Sequence, residues 1–168
     1  PMALDTVFDL ASLTKPVATA TSVMVLLEQG RLRLDQPAAS IVSELDMKYK
    51  RAITIRQLLV HTSGLPAVTP LRDYKLGQKT ALRRIAGCRT LALPGGEYRY
   101  SDVGYIVLGA LVERAAGLPL DAFVQKQILR PLEMQDTTFN PPEPLRARAA
   151  PTEQRDELWI RGVVHDPR

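Results

Sequence analysis

From residue 13 to 29 the chain is apolar or small almost all round, with Val17, Ala18, Ala20, Val23, Met24, Leu26 and Leu27 in succession. A helix without a polar face is a buried helix. Pro16 fixes where it begins, because proline is tolerated only in a first turn, where its missing N–H has no partner to lose. Ser12 therefore falls at the very N-terminus, and Gly30 supplies the stop. Ahead of it, residues 7–10 are short, apolar and β-prone.

Further along, residues 31–34 alternate and read as a short extended piece, and 35–37 as a turn. Thr54 and Gln57 have the spacing of a capping box and open a helix to about His61. Thr62-Ser63-Gly64-Leu65-Pro66 ends it. Residues 79–87 predict another helix, and Leu93-Pro94-Gly95-Gly96 is a strong turn signal. Ser101 or Asp102 caps a helix over 103–116 that Gly117 stops, and Asp121 caps one more to about Leu129. Residues 141–157, rich in proline and charge, predict a long surface loop. There is no internal repeat. The pattern is mainly α with short β pieces, and 168 residues suffice for one domain with a substantial core.

Composition narrows the classes. With 45% hydrophobic and 24% charged residues the chain is ordinary for a globular protein. No apolar run approaches the roughly 20 residues that span a bilayer. The longest, residues 17–27, is broken by Thr19, Thr21 and Ser22, so no transmembrane segment is expected in this stretch. The net charge of +4 is spread along the chain, densest at Arg146, Arg148 and Arg155. Dispersed cations give no focused basic patch, and no nucleic-acid partner is expected. Cys88 is the only cysteine and His61 and His165 the only histidines, which leaves no internal disulfide and no recognisable zinc spacing. No metal and no cofactor are expected. The chain opens on Pro1 rather than Met, so the lack of a leader says nothing about compartment.

The candidate chemistry lies in Ser12-Leu13-Thr14-Lys15. A serine hydroxyl is a poor nucleophile until a base takes its proton. Residues three apart on a helix share a face, so this spacing points hydroxyl and ammonium the same way. Burial or neighbouring cations can lower a lysine pKa enough for it to act as that base. The helix N-terminus adds N–H groups that favour an oxyanion. By itself Ser-x-x-Lys is common, and Ser12 as a plain cap with Lys15 as a surface charge fits the same residues. A second constellation, Tyr100-Ser101-Asp102, follows the glycine-rich turn at a helix mouth. Tyr100 there shares a proton with Lys15 or delivers one to a leaving group, and Asp102 holds Lys15 or a substrate amide. A cap at Ser101 or Asp102 with Tyr100 in the core is the structural alternative, and the two are compatible. His61, at a helix end, fits a carbonyl-bonding or turn-closing role better than catalysis. Trp159 reads as packing, with a place at the border of the substrate as the alternative.

Four stretches carry a resemblance. Phe8-Asp9-Leu10-Ala11-Ser12-Leu13-Thr14-Lys15-Pro16 resembles the first motif of the serine β-lactamase-like superfamily, which includes class C β-lactamases, penicillin-binding D,D-peptidases and related esterases. Leu58-Leu59-Val60-His61-Thr62-Ser63-Gly64-Leu65 is similar to a segment of the class C-like branch. The run from Tyr98 through Tyr100-Ser101-Asp102 to Gly109 resembles that branch's Tyr-x-Asn region. Pro131-Leu132-Glu133-Met134-Gln135-Asp136-Thr137 resembles its Pro-Leu-Gly-Met-x-x-Thr segment. The four stand in family order.

The resemblance implies a single partial domain over residues 1–168, mostly the helical region of the α/β β-lactamase/transpeptidase-like fold. The N-terminal strands, the C-terminal α/β part and most of the central antiparallel sheet would lie outside it. It implies an acyl-enzyme on Ser12, activation by Lys15, Tyr100 as acid or base partner, and the Ser12 N–H as half of an oxyanion hole. Asp102, Ser101 and His165 would border the substrate. The implied activity is a serine hydrolase acting on an ester or a D-Ala-type peptide, with a small-molecule or peptidoglycan-derived substrate and a periplasmic or secreted setting. Two departures qualify it. Asp102 stands where β-lactamases usually carry Asn, which speaks against efficient β-lactam hydrolysis. No Lys-Thr-Gly or His-x-Gly third motif occurs. Residues 162–167 are similar to a stretch that precedes a His-Ala-Gly motif in a penicillin-binding-protein 4B-like subgroup. The expectation is a fragment, inactive by itself, of a protein of about 350–400 residues, a size typical of two domains. The competing class is a non-catalytic binding or scaffold protein on the same fold.

Overall fold

The computed structural model describes residues 2–164. The expected first helix begins as a 3₁₀ turn, Ala11–Leu13, passes through a π-helical stretch, Lys15–Ala20, and only then becomes α1, Thr21–Glu28. Pro16 sits in the first turn of the widened stretch. Its carbonyl receives both the N–H and, at 2.8 Å, the hydroxyl of Thr21, five residues on. Such π turns cluster at functional sites. Burial of this helix is one-sided. Ala18, Thr19, Ser22, Val23 and Leu26 are buried, whereas Met24 is 46% exposed. The uniformly apolar sequence outruns the neighbours available to cover it.

Those neighbours centre on α4, Asp102–Ala116. Val103, Val107, Leu108 and Leu111 form its buried stripe. They share one buried cluster with Val23 and Leu26 of α1, Ile55 and Leu58 of α2 (Ile55–Leu59), and Leu82 and Ile85 of α3 (Gln78–Gly87). Each fully buried leucine contributes about 2 kcal/mol, and this cluster anchors α4 as the central rod. The Thr54–Gln57 capping box forms in both directions, at 3.2 and 3.0 Å. α2 nevertheless ends at Leu59, because His61 turns into the left-handed region at φ 59°. Gly117 ends α4 at φ 71°.

Two expectations change. Asp121 does not cap its helix. α5, Leu120–Val124, starts behind Pro119, and Asp121 lies in the first turn, accepting the Ala122 N–H. The helix continues as a π-helical stretch, Gln125–Leu129. Residues 141–157 are not a long loop. They form α6, Glu143–Arg148, and β1, Pro151–Arg155, which pairs antiparallel with β2, Leu158–Arg161. Pro142, Pro144 and Pro151 sit where proline is harmless, at the N-cap and first turn of α6 and at the start of an edge strand. Asp156 and Glu157, both at positive φ, make the two-residue hairpin turn. Residues 7–10 contribute a single parallel bridge, Val7 to Ala149. Among the described residues the fold is therefore mainly helical, with one two-stranded sheet.

Candidate active site

A tight bend delivers Ser12. Ala11 occupies the left-handed region at φ 45°, and its N–H donates to Asp9 Oδ1 at 2.8 Å. The bend leaves Ser12 exposed at the start of the helix. Lys15 Nζ donates to Ser12 Oγ at 3.3 Å and to Asp102 Oδ1 at 2.7 Å. It lies 5.0 Å from the Tyr100 ring centroid and 5.9 Å from that of Tyr105. Burial works to lower the Lys15 pKa. Hydrogen bonding to Asp102 and to Tyr100, with their charge interactions, outweighs it and the pKa rises. The ordinary state of Lys15 is thus an ammonium, not the lowered lysine that a free base requires.

The segment carrying Tyr100 is fastened to the loop after α2. Arg99 N–H donates to the His61 carbonyl at 2.8 Å, Gly95 N–H to Thr62 at 2.7 Å, Leu91 N–H to Gly64 at 2.8 Å and Asp102 N–H to Ala67 at 2.9 Å. Gly64 is required here. Its φ is +74°, and a Cβ would stand 2.1 Å from the Ala92 carbonyl oxygen. Ser101 is buried, and its hydroxyl donates to the Pro66 carbonyl at 2.6 Å and accepts the Gly104 N–H at 3.0 Å. It caps α4, so Asp102 starts the helix with its carboxylate toward Lys15. Tyr100 remains 41% exposed.

The structure thus brings Ser12, Lys15, Tyr100 and Asp102 together. Ser101 meets them through the backbone, with its side chain turned to internal partners. His165 lies outside the described residues. Two residues not assigned to the site also arrive. His61 Nδ1 accepts the Ser101 N–H at 3.1 Å, rather than its ring serving a carbonyl. The imidazole packs at 4.5 Å from the Tyr100 ring and 5.0 Å from the Tyr105 ring. Burial and the Lys15 charge lower its pKa, against an opposing pull from Asp102. Tyr105 donates its hydroxyl to the Leu59 carbonyl at 3.1 Å, and burial raises its pKa. Tyr105 follows Asp102 by three on one helix, a same-face spacing that was available to find it. His61 carried no such signal.

Ser12, Lys15, Asp102 and Tyr105 open onto a groove of about 910 Å³ whose lining also includes Phe8 and Val163. Among the described residues no three metal-ligating side chains gather. The arrangement holds an exposed hydroxyl against one paired ammonium, a phenol beside it and a carboxylate behind.

Comparison with known proteins gives the family to which this fold and cluster belong. The Beta-lactamase family profile matches residues 1–167. Esterase EstB of Burkholderia gladioli is 37% identical over 167 residues, covering 87% of this chain and 42% of its own length. A penicillin-binding protein homologue from Caulobacter crescentus superimposes with a TM-score of 0.78 at 27% identity, covering 93% of this chain and 42% of that one. A β-lactamase/D-alanine carboxypeptidase from Yersinia pestis does so with a TM-score of 0.74 at 25% identity, covering 88% and 45%. The chain belongs to the β-lactamase family of serine hydrolases. It spans less than half the length of the curated relatives it matches.

Proposed function

We propose that the protein carrying this chain cleaves an ester or a D-Ala-type peptide through an acyl intermediate on Ser12. The observation that carries the reading is convergence. Lys15, three residues from Ser12, is reached by Asp102 at the start of α4 and by Tyr100 just before it. A surface lysine beside a helix cap has no need of such partners.

In the first step Ser12 Oγ forms a bond to the carbonyl carbon, and the bond to the leaving alcohol or amine then breaks. The Ser12 proton passes to the Tyr100–Lys15 pair, which in its reactive form carries one proton fewer. The same pair returns that proton to the leaving group. Water repeats the sequence in reverse on the acyl-enzyme. Lys15 as an ammonium orients Ser12 Oγ and offsets negative charge on it. The Ser12 N–H, at the helix start, is one oxyanion donor. Asp102 holds Lys15 in place. The esterase and the D-alanine carboxypeptidase among the relatives support these two substrate types. Efficient β-lactam turnover is not part of the proposal, since Asp102 replaces the usual Asn.

A panel of p-nitrophenyl esters, a D-Ala-D-Ala peptide and nitrocefin, run on the complete gene product, tests it. Ester or peptide turnover is expected, abolished in Ser12→Ala and reduced about a hundredfold in Tyr100→Phe, the usual scale of a lost acid–base group. Turnover unchanged in both variants would overturn it.

A further inference from the structure

Once the site is assembled, His61 is a titratable group in it that the proposed chemistry does not use. Its side chain does not close its own turn. Nδ1 instead reaches the backbone N–H of Ser101, 40 residues on, at 3.1 Å. Ser101 is the residue between Tyr100 and Asp102, so this bond is made at the centre of the constellation. The His61 carbonyl takes the N–H of Arg99, at 2.8 Å, on the other side of Tyr100. One residue therefore grips the backbone before and after Tyr100.

The rings agree. The imidazole lies 4.5 Å from the Tyr100 centroid at a 34° tilt, 5.0 Å from Tyr105, and meets Tyr98 edge-on at 5.9 Å. Tyr100 is substantially exposed, so a stacked ring beside it fixes a side chain that would otherwise sample several rotamers. His61 makes these contacts from φ 59°, a conformation that costs a non-glycine residue energy and persists where surroundings impose it. That backbone twist is what carries the ring off the end of α2 and across to Tyr100.

We propose that His61 is a positioning residue for Tyr100, acting as a neutral imidazole whose Nδ1 accepts the Ser101 amide. This rests on the role given to Tyr100 above. A committed Nδ1 lone pair places the ring proton on Nε2. Protonation at Nδ1 removes the acceptor, strands the Ser101 N–H and adds a cation to a pocket that already holds the Lys15 ammonium. The groups facing the ring are Lys15 and Asp102 together with Tyr98, Tyr100 and Tyr105. Arg99, on the same segment, is engaged with Glu97 at 3.7 Å. Burial and then Lys15 oppose the imidazolium, and Asp102 favours it. The site consequently loses its order on the acid side, below the ordinary histidine range.

Two arms test this. Long-range ¹H–¹⁵N spectra of the imidazole, with the Ser101 amide followed in parallel, need no turnover and so are independent of Ser12 chemistry. The expected result is the Nε2–H tautomer, a His61 pKa below 6.5, and a Ser101 amide shift that titrates with it. An Nδ1–H tautomer, or a Ser101 amide indifferent to His61, overturns the proposal. The second arm measures kcat and KM against pH for the complete gene product with a p-nitrophenyl ester. His61→Asn keeps a side-chain acceptor and tolerates positive φ, whereas His61→Ala keeps neither. The alanine variant is expected to lose about tenfold in kcat with KM little changed. The asparagine variant is expected to recover most of that and to lose the acid limb assigned to His61. A thermal melt accompanies each. An asparagine variant with the wild-type acid limb, or an alanine variant that melts early but keeps its kcat when folded, assigns His61 a structural role only.

Discussion

Lys15 Nζ stands 2.7 Å from Asp102 Oδ1 and 3.3 Å from Ser12 Oγ, so one ammonium joins the start of the first helix to the start of α4. Burial pulls the Lys15 pKa down, but Asp102, helped by Tyr100, holds it above the usual lysine value of 10.5. A raised lysine pKa adds stability that is fully present below 10.5 and is lost as pH climbs through the folded value. Asp102→Asn should remove that contribution. The pair is partly exposed, so the expected loss at pH 8 is only about 0.5 kcal/mol. Urea midpoints for wild type and variant should differ at pH 8 and converge at strongly alkaline pH. A gap that widens there contradicts the pairing.

Gly64→Ala should damage the site from a distance. The added Cβ would stand 2.1 Å from the Ala92 carbonyl oxygen, at a backbone φ of +74°. The loop and the 91–102 segment must then separate, at a cost of more than about 2 kcal/mol. Gly30→Ala is the control, since Gly30 shares the positive φ but has nothing within 4 Å of a Cβ. It should cost about 1 kcal/mol. Urea unfolding of the two variants side by side checks the difference, and equal costs would remove the clash from the explanation.

Acid stability should depend on Glu44. Its carboxylate receives two bonds from Arg114, at 2.7 and 2.8 Å, tying the turn at Ser43–Leu45 to the last turns of α4. Arg114 is the main reason that the Glu44 pKa falls from 4.5 to about 2. A depressed carboxylate pKa adds stability that is complete above 4.5 and is lost as pH falls toward about 2. Glu44→Gln should be less stable than wild type at pH 7 by about 0.5 kcal/mol and should shed less stability in acid. Circular-dichroism acid titrations of both proteins measure this.

Much of this site was legible in the residue order. Pro16 set the start of the first helix, the Thr54–Gln57 box set α2, and Ser101 with Gly117 bracketed α4, because caps and stops are local chemistry. Ser12, Lys15, Tyr100 and Asp102 followed from those starts and from the family resemblance. The misses were of two kinds. Proline and charge over residues 141–157 suggested a loop, but Pro142, Pro144 and Pro151 each occupy the start of an element, where no N–H is needed. The protonation of Lys15 and the reach of His61 depend on tertiary neighbours. Asp102 lies far from Lys15 in the chain, and a burial argument made without it has the wrong sign for the pKa.

The central claim is an acyl group on Ser12. Intact-mass spectrometry of the complete gene product, quenched during turnover of a p-nitrophenyl ester and followed by peptide mapping, tests it directly. The expected result is a mass increase equal to one acyl group, located on the peptide containing Ser12 and absent from Ser12→Ala. Turnover with no adduct on that peptide, or an adduct that persists in Ser12→Ala, would contradict the account.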